Sequence, residues 1–105
     1  MPFTPTTIPG LIIFEPAVFE DGRGYFYESY NERLFAGNHI HNKFVQDNQS
    51  KSSYGVVRGL HFQRPPYAQT KLVRVFKGAI IDAVVDLRAG SPTFGETFSI
   101  ELSEE

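Results

Sequence analysis

Short apolar runs recur along the whole chain, and a Gly, Pro, Asn or Asp break separates each run from the next. The runs favour β-branched and aromatic residues, which is typical of β-strands. Residues 31–38 are the one predicted helix, with Asn31 as its N-cap and Gly37 at its end. Seven strands are predicted, at 10–19, 24–30, 43–52, 55–63, 70–78, 79–88 and 96–103. The pattern indicates one all-β domain over residues 1–105, an antiparallel sandwich or barrel.

The composition excludes several classes of function. The net charge is −2, so a general surface for nucleic acid or an anionic membrane is not expected, and an anionic ligand must be held by a few placed cations. The chain has no Cys, which excludes a disulfide framework and a thiol nucleophile. No secretory signal and no apolar run of membrane-spanning length is visible. A cytoplasmic protein is the expectation.

The stretch "GVVRGLHFQRPPYAQTKLVRVFKG" (55–78) places charged residues among apolar ones. Strand alternation puts Arg58 and His61 on opposite faces, unless Gly59 introduces a bulge that brings them to one side. Lys71 shares a face with apolar neighbours, so it is either a strand-end Lys that reaches solvent or a charge placed in a cavity. His61 is either a hydrogen-bonded core or rim residue or a proton-transfer group. The residues alone leave both pairs of alternatives open.

Three further groups of polar residues have both a structural and a functional interpretation. Gln46 and Asn48 share one strand face, where they either bind a polar ligand or contact solvent. Arg23 lies between two glycines, which is typical of a plain turn and also of a backbone that approaches a ligand. His39 and His41 lack a third metal ligand nearby, so a solvated loop is the favoured interpretation.

Two long segments carry a specific resemblance. "FEDGRGYFYESYN" (19–31) and "FVQDNQSKSSYGVVRGLHFQRPPYAQTKLVRVFKGAIIDAVVDLRAGSPTFG" (44–95) closely resemble the dTDP-4-dehydrorhamnose 3,5-epimerase family. The resemblance implies a cupin-type antiparallel jelly roll. It also implies a homodimer in which an N-terminal arm, residues 1–30, helps to build the partner's site. Because a jelly roll needs about eight strands, the C-terminal part of the barrel is expected to be missing, and the chain to be a fragment or a shortened homologue.

The spacing of residues 55–78 also resembles a cupin metal motif, but with a broken ligand set. Gly55 and His61 fit its first half, whereas Gln63 stands in place of the second His and Lys71 in place of the Glu. An ammonium group cannot replace a carboxylate around a divalent metal. The expectation is therefore a site with no metal and no other cofactor. A metal-dependent cupin oxygenase is disfavoured for the same reason.

The resemblance implies a role for each catalytic residue. The family's substrate is a dTDP-4-keto-6-deoxyhexose, whose ketone acidifies the hydrogens on both neighbouring carbons. His61 is expected to be the base that removes such a proton, because imidazole titrates near neutral pH. Lys71 is expected to stabilise the oxyanion that forms at the ketone oxygen.

The same resemblance implies which residues bind the substrate. Arg58 and Arg23 are expected to grip the diphosphate, because the guanidinium fork matches phosphate oxygens. Arg23 is expected to reach the site from the partner subunit. The full set of expected substrate-binding residues is Phe19, Arg23, Glu28, Gln46, Asn48 and Arg58.

Half of the catalytic groups that the resemblance implies have no counterpart among residues 1–105. In the family, a Tyr later in the chain reprotonates the opposite face, and a later carboxylate orients the catalytic His. Neither Tyr67 nor Asp82 matches those positions. The expected function is epimerisation at C3 and C5 in rhamnose-type deoxysugar biosynthesis, with weak or incomplete turnover by these residues alone. The alternatives are a non-catalytic nucleotide-sugar-binding cupin module and a mono-epimerase or ketoisomerase of a related dTDP sugar.

Overall fold

Strands dominate the regular structure of the chain, and one short helix interrupts them. The computed structural model describes residues 2–105. The elements, in chain order, are β1 Phe3–Pro5, β2 Ile12–Phe14, β3 Val18–Asp21, β4 Gly24–Tyr27, α1 Glu32–Ala36, β5 Ala79–Val85 and β6 Thr97–Ser103. The strands form three antiparallel pairs, β1–β2, β3–β4 and β5–β6. The prediction of an all-β chain with little helix is confirmed.

The first pair anchors a cluster of aromatic rings. β1 and β2 place Phe3 opposite Phe14, and their ring centroids lie 4.8 Å apart. Phe35, from α1, packs between them and Tyr30 at centroid distances of 4.8–5.1 Å. Phe44 extends the group through Tyr30 at 5.4 Å. These five residues, the aromatic cluster, use offset or edge-to-face contacts, the geometry that aromatic rings prefer.

The predicted helix forms where its capping signals lie. The Asn31 side chain accepts a hydrogen bond from the Leu34 N–H at 2.9 Å, which satisfies a donor that the first helical turn would leave unpaired. The Gly37 N–H donates to the Arg33 carbonyl at 3.0 Å at the other end. The helix turns Phe35 inward, where its side chain is fully buried.

The third pair, β5–β6, carries a long loop that is tied to a single carboxylate. The loop, residues 86–96, begins at Asp86, whose N–H donates to the Glu96 carbonyl at 2.9 Å. The Asp86 side chain is buried and accepts from the Arg88 guanidinium and from two hydroxyl groups, those of Ser91 and Thr93. We call residues 86–96 the Asp86 loop. At the far end of β6, the Glu104 N–H donates to the Gly78 carbonyl at 3.0 Å.

Three of the predicted strands do not form in the structure. Residues 43–52, 55–63 and 70–78 are not in any of the three strand pairs. Gly78 has a φ of +85° but does not form a tight hairpin turn between 70–78 and β5, whose partner is β6. An extended segment counts as a strand only when another segment satisfies its backbone groups, and residues 2–105 supply none for these three. β1, which the sequence patterns did not indicate, does find a partner.

Candidate functional site

The β3–β4 hairpin positions two of the predicted binding residues. Val18 pairs with Tyr27 and Asp21 with Gly24, so Gly22 and Arg23 form a two-residue turn. Gly24 has a φ of +138°, a conformation that glycine adopts without strain. The turn and the strands beside it enclose a shallow groove of about 160 Å³, and Phe19 and Arg23 both line it. Glu28 follows directly after β4 and is exposed.

Asp21 is a residue of this site that the sequence patterns did not single out. Its carboxylate accepts hydrogen bonds from the Arg23 guanidinium, with Nη2 at 2.6 Å and Nε at 3.2 Å. It also accepts the Arg23 N–H at 2.8 Å. These bonds to Arg23 lower the pKa of Asp21, so its charge is retained well below neutral pH. The guanidinium itself is almost fully exposed, so an anion that reaches it competes with Asp21.

The remaining predicted site residues lie in the segment that joins Phe44 to β5. Residues 45–76, which follow Phe44, run over the surface, and we call them the open strip. Its predicted site residues are all exposed: Gln46, Asn48, Arg58, His61 and Lys71. The Gln46 amide donates to the Asn48 side-chain oxygen at 3.4 Å, so these two amides lie together although residues 43–52 form no paired strand. The Arg58 Nε donates to the Ser52 hydroxyl at 3.0 Å, which makes Ser52 a second residue that the patterns missed.

Gly59 interrupts the extended backbone between Arg58 and His61. Its φ is +119°, so the simple alternation of faces does not continue through it. A Cβ at this position would lie 4.0 Å from the His61 Nδ1 and 3.9 Å from the His61 backbone nitrogen. The backbone at Gly59 thus has a conformation that favours glycine, but residues 56–64 form no turn or bend and pair with no strand, so the bulge or bend predicted at Gly59 is not formed.

A second groove, of about 300 Å³, lies between β4 and the end of the open strip. Tyr25 and Tyr27 stack with centroids 5.9 Å apart on one side. On the other side the Arg74 guanidinium carbon lies 4.2 Å from the centre of the Phe76 ring, a cation–π contact. Neither groove is lined by His61 or Lys71. Residues 2–105 thus bring Phe19 and Arg23 together, but leave the two predicted catalytic residues on an open surface.

Among residues 2–105, no three His, Asp or Glu side chains lie close enough together to hold a metal ion. His39 and His41 are exposed in their loop. In the same part of the chain, no helix has the length and apolar character needed to cross a bilayer.

The comparisons with known proteins define the class. A structure from Elizabethkingia anophelis, a dTDP-4-dehydrorhamnose 3,5-epimerase, superposes with a TM-score of 0.90 at 50% identity over 97% of this chain and 56% of its own. An epimerase from Legionella pneumophila, in complex with dTDP-4-keto-L-rhamnose, gives a TM-score of 0.91 at 45% identity over 97% of this chain and 54% of its own. The backbone is that of the all-β, cupin-type nucleotide-sugar epimerases.

The sequence comparisons name the family. The sequence model described as dTDP-4-dehydrorhamnose 3,5-epimerase matches residues 5–105. The epimerase of Shigella flexneri is 52% identical in an alignment of 103 residues that covers 95% of this chain and 56% of that protein. The chain belongs to the dTDP-4-dehydrorhamnose 3,5-epimerase family, and it spans about half the length of the curated relatives that it matches. The family resemblance predicted from the sequence is confirmed.

Proposed function

We propose that this chain acts in the epimerisation at C3 and C5 of a dTDP-4-keto-6-deoxyhexose, a step of rhamnose-type deoxysugar biosynthesis. The observation that carries the proposal is the family match over residues 5–105, which contains His61, Lys71 and every other residue expected at the site. The Legionella pneumophila relative, 45% identical, binds dTDP-4-keto-L-rhamnose, which supports the same class of substrate here.

The chemistry assigned to this site is a proton transfer beside a ketone. The His61 imidazole removes the proton from a carbon next to the ketone, and the C–H electrons move to form an enolate whose charge lies on the ketone oxygen. The Lys71 ammonium group stabilises that oxyanion, a contribution of about 10²–10³ in rate for one placed donor. A proton delivered to the opposite face of the carbon, by the later Tyr that the family resemblance implies, inverts the carbon and restores the ketone. His61 releases the proton that it removed to solvent.

The binding residues of the proposal divide between the diphosphate and the rest of the substrate. Arg58 and Arg23 bind the diphosphate, with Arg23 supplied by the partner subunit of a homodimer. Because Asp21 already accepts from the Arg23 guanidinium, we expect the phosphate oxygens to share or replace that contact. Gln46 and Asn48 contact the substrate from the open strip, and Phe19 and Glu28 from the hairpin. The proposed enzyme uses no metal and works in the cytoplasm. A chain without Cys forms no disulfides, which is compatible with that reducing compartment.

The test places these residues in a full-length background. A chimera in which this chain replaces the matching 103 residues of the Shigella flexneri relative is incubated with dTDP-4-keto-6-deoxyglucose in D₂O. We expect His61→Ala and Lys71→Ala each to slow deuterium incorporation at C3 and C5 by about 10²-fold or more. His41→Ala and Lys77→Ala are the matched controls, since both change the same residue types outside the proposed site. If His61→Ala exchanges at the parent rate, His61 is not the base.

The solvent exposure of His61 and Lys71 favours a second candidate, nucleotide-sugar binding without turnover. Titration calorimetry of this chain with dTDP, beside the deuterium assay on the same preparation, separates the two. Binding that Arg58→Ala weakens, with no deuterium exchange in either the chain or the chimera, supports the binding module. Exchange at only one carbon in the chimera indicates a mono-epimerase, and a moved ketone indicates a ketoisomerase.

A further inference from the structure

A turn in the open strip brings two polar side chains together. The Val56 N–H donates to the Ser53 carbonyl at 3.2 Å, and Gly55, with a φ of +85°, occupies the position of a type II turn that needs a positive φ. Ser52 and Arg58 lie on either side of this turn. The Ser52 hydroxyl accepts a hydrogen bond from the Arg58 Nε at 3.0 Å. The turn therefore gives Arg58 a side-chain partner in an otherwise open segment.

This hydrogen bond uses one donor of the Arg58 guanidinium and leaves the others accessible. Only the Nε–H is taken up by Ser52, while the two terminal nitrogens carry further N–H donors in a fixed plane. Within residues 2–105, the exposed Arg58 side chain forms no other hydrogen bond and no ion pair. Nη1 and Nη2 can therefore donate together to two oxygens of one phosphate, which is the bidentate geometry that guanidinium groups favour.

The other predicted diphosphate ligand, Arg23, has a partner of different charge. The Asp21 carboxylate accepts from its Nε at 3.2 Å and from its Nη2 at 2.6 Å. That pair carries no net charge, and one edge of its guanidinium is already occupied. The Ser52 hydroxyl is neutral, so Arg58 keeps its full positive charge while its Nε is held. An anionic diphosphate is attracted to the uncompensated cation more than to a cation that a carboxylate already neutralises.

We propose that Ser52 is a positioning residue for Arg58, which it orients toward the diphosphate without neutralising its charge. The inference rests on the proposed function, in which Arg58 binds the diphosphate of a dTDP sugar. An Arg side chain loses rotamer freedom when it binds a ligand, and a partner that already restricts the side chain lowers that cost. Loss of the Ser52 hydroxyl should therefore weaken binding of the diphosphate. It should leave the proton transfer at the sugar unchanged, because Ser52 acts only through Arg58.

The test measures the affinity for dTDP by titration calorimetry, and the epimerisation kinetics, in the chimera described above. Ser52→Ala should raise both the Kd for dTDP and the KM for the sugar nucleotide by about 3–10-fold, with kcat within about twofold of the parent. Ser52→Thr keeps the hydroxyl and should restore binding. Ser52→Asp keeps an acceptor but neutralises the guanidinium, so it should weaken binding more than Ser52→Ala does. Ser53→Ala is the matched control, because Ser53 is also exposed and contributes only its backbone carbonyl to the turn.

A double-mutant cycle separates positioning from a general structural effect. Once Arg58 is replaced in Arg58→Ala, adding Ser52→Ala should weaken dTDP binding by less than about twofold. The Ser52 role is overturned if the two losses add, or if Arg58→Ala weakens binding and Ser52→Ala does not. If Arg58→Ala itself leaves the affinity unchanged, the diphosphate role of Arg58 is wrong and the Ser52 role falls with it. A chimera that binds dTDP without turnover would overturn the proposed epimerisation alone, because the calorimetry requires no turnover.

Discussion

The aromatic cluster and the open strip use the same residue types for opposite purposes. In the cluster, the Phe35 ring has aromatic partners on three sides and is 1% exposed. In the open strip, Phe62 has a similar chain environment of short apolar runs and yet is 69% exposed. The difference lies in whether a partner is present within residues 2–105. An apolar residue stabilises the chain only where something covers it.

Among the substitutions that compare the two regions, Phe35→Ala is expected to cause the largest loss of stability. Removing a buried aromatic ring costs about 3–5 kcal/mol of stability, because its transfer energy is lost and a cavity remains. The amide exchange of Ile40, whose N–H donates to the Phe35 carbonyl at 2.9 Å, should accelerate strongly. Leu34→Ala changes the neighbouring, partly exposed helical residue and should cost about 1 kcal/mol or less. Equal losses for the two variants would show that the cluster does not hold this part of the fold.

The Asp86 loop should show the next largest effect, and its dependence on pH has a definite sign. Hydrogen bonds from Arg88, then Ser91 and Thr93, hold the pKa of Asp86 far below its ordinary value of 3.8. The same contact raises the pKa of Arg88. Near pH 4 the unfolded chain therefore binds more protons at Asp86 than the folded chain does. The stabilisation is complete well above pH 4 and is lost as the pH falls through the folded-state pKa.

Asp86→Asn should therefore lower the thermal midpoint at pH 7 by roughly 5–15 °C. The difference from the parent should shrink as the pH falls below about 4. Asp21→Asn is the matched control, because Asp21 also accepts from an Arg two residues later but is half-exposed, with a side chain 52% exposed against 1% for Asp86. We expect the midpoint of this control to change by about 2 °C or less. A pH-independent difference for Asp86→Asn would exclude the carboxylate as its cause.

The sequence predicted those parts of the molecule whose signals are local. Asn31 and Gly37 cap the two ends of the helix, as expected. The apolar runs after Gly78 and Gly95 form β5 and β6. The Asp86 loop was predicted only in part, because residues 86–88 were assigned to the strand at 79–88. A carboxylate that collects hydroxyl and guanidinium donors depends on a folded path, which no local pattern shows. The pairing of 43–52, 55–63 and 70–78 was predicted wrongly for a related reason. Strand propensity describes a segment, whereas pairing requires a second segment at the right distance.

The predicted site also contains features that a local pattern shows and contacts that only the folded chain shows. The glycine in a strand-like run predicted an unusual backbone at position 59, and its φ of +119° agrees with that, but the chain forms no bend or bulge there. The roles of His61 and Lys71 rested on the family resemblance, and their assignment stays a prediction. Asp21 and Ser52, which contact the two predicted diphosphate ligands, gave no motif of their own. A carboxylate or a hydroxyl two or six residues from an Arg is too common in sequences to indicate a contact.

The smallest expected effect tests the open strip directly. Phe62→Ala in this chain alone should change stability by no more than about 0.5 kcal/mol, because a side chain that is 69% exposed gives up little buried area. Urea unfolding monitored by near-ultraviolet circular dichroism measures it, with Phe35→Ala as the reference for a covered ring. A large loss in the chain alone would mean that residues 2–105 already cover Phe62 in solution, and the contrast between the two regions would fail.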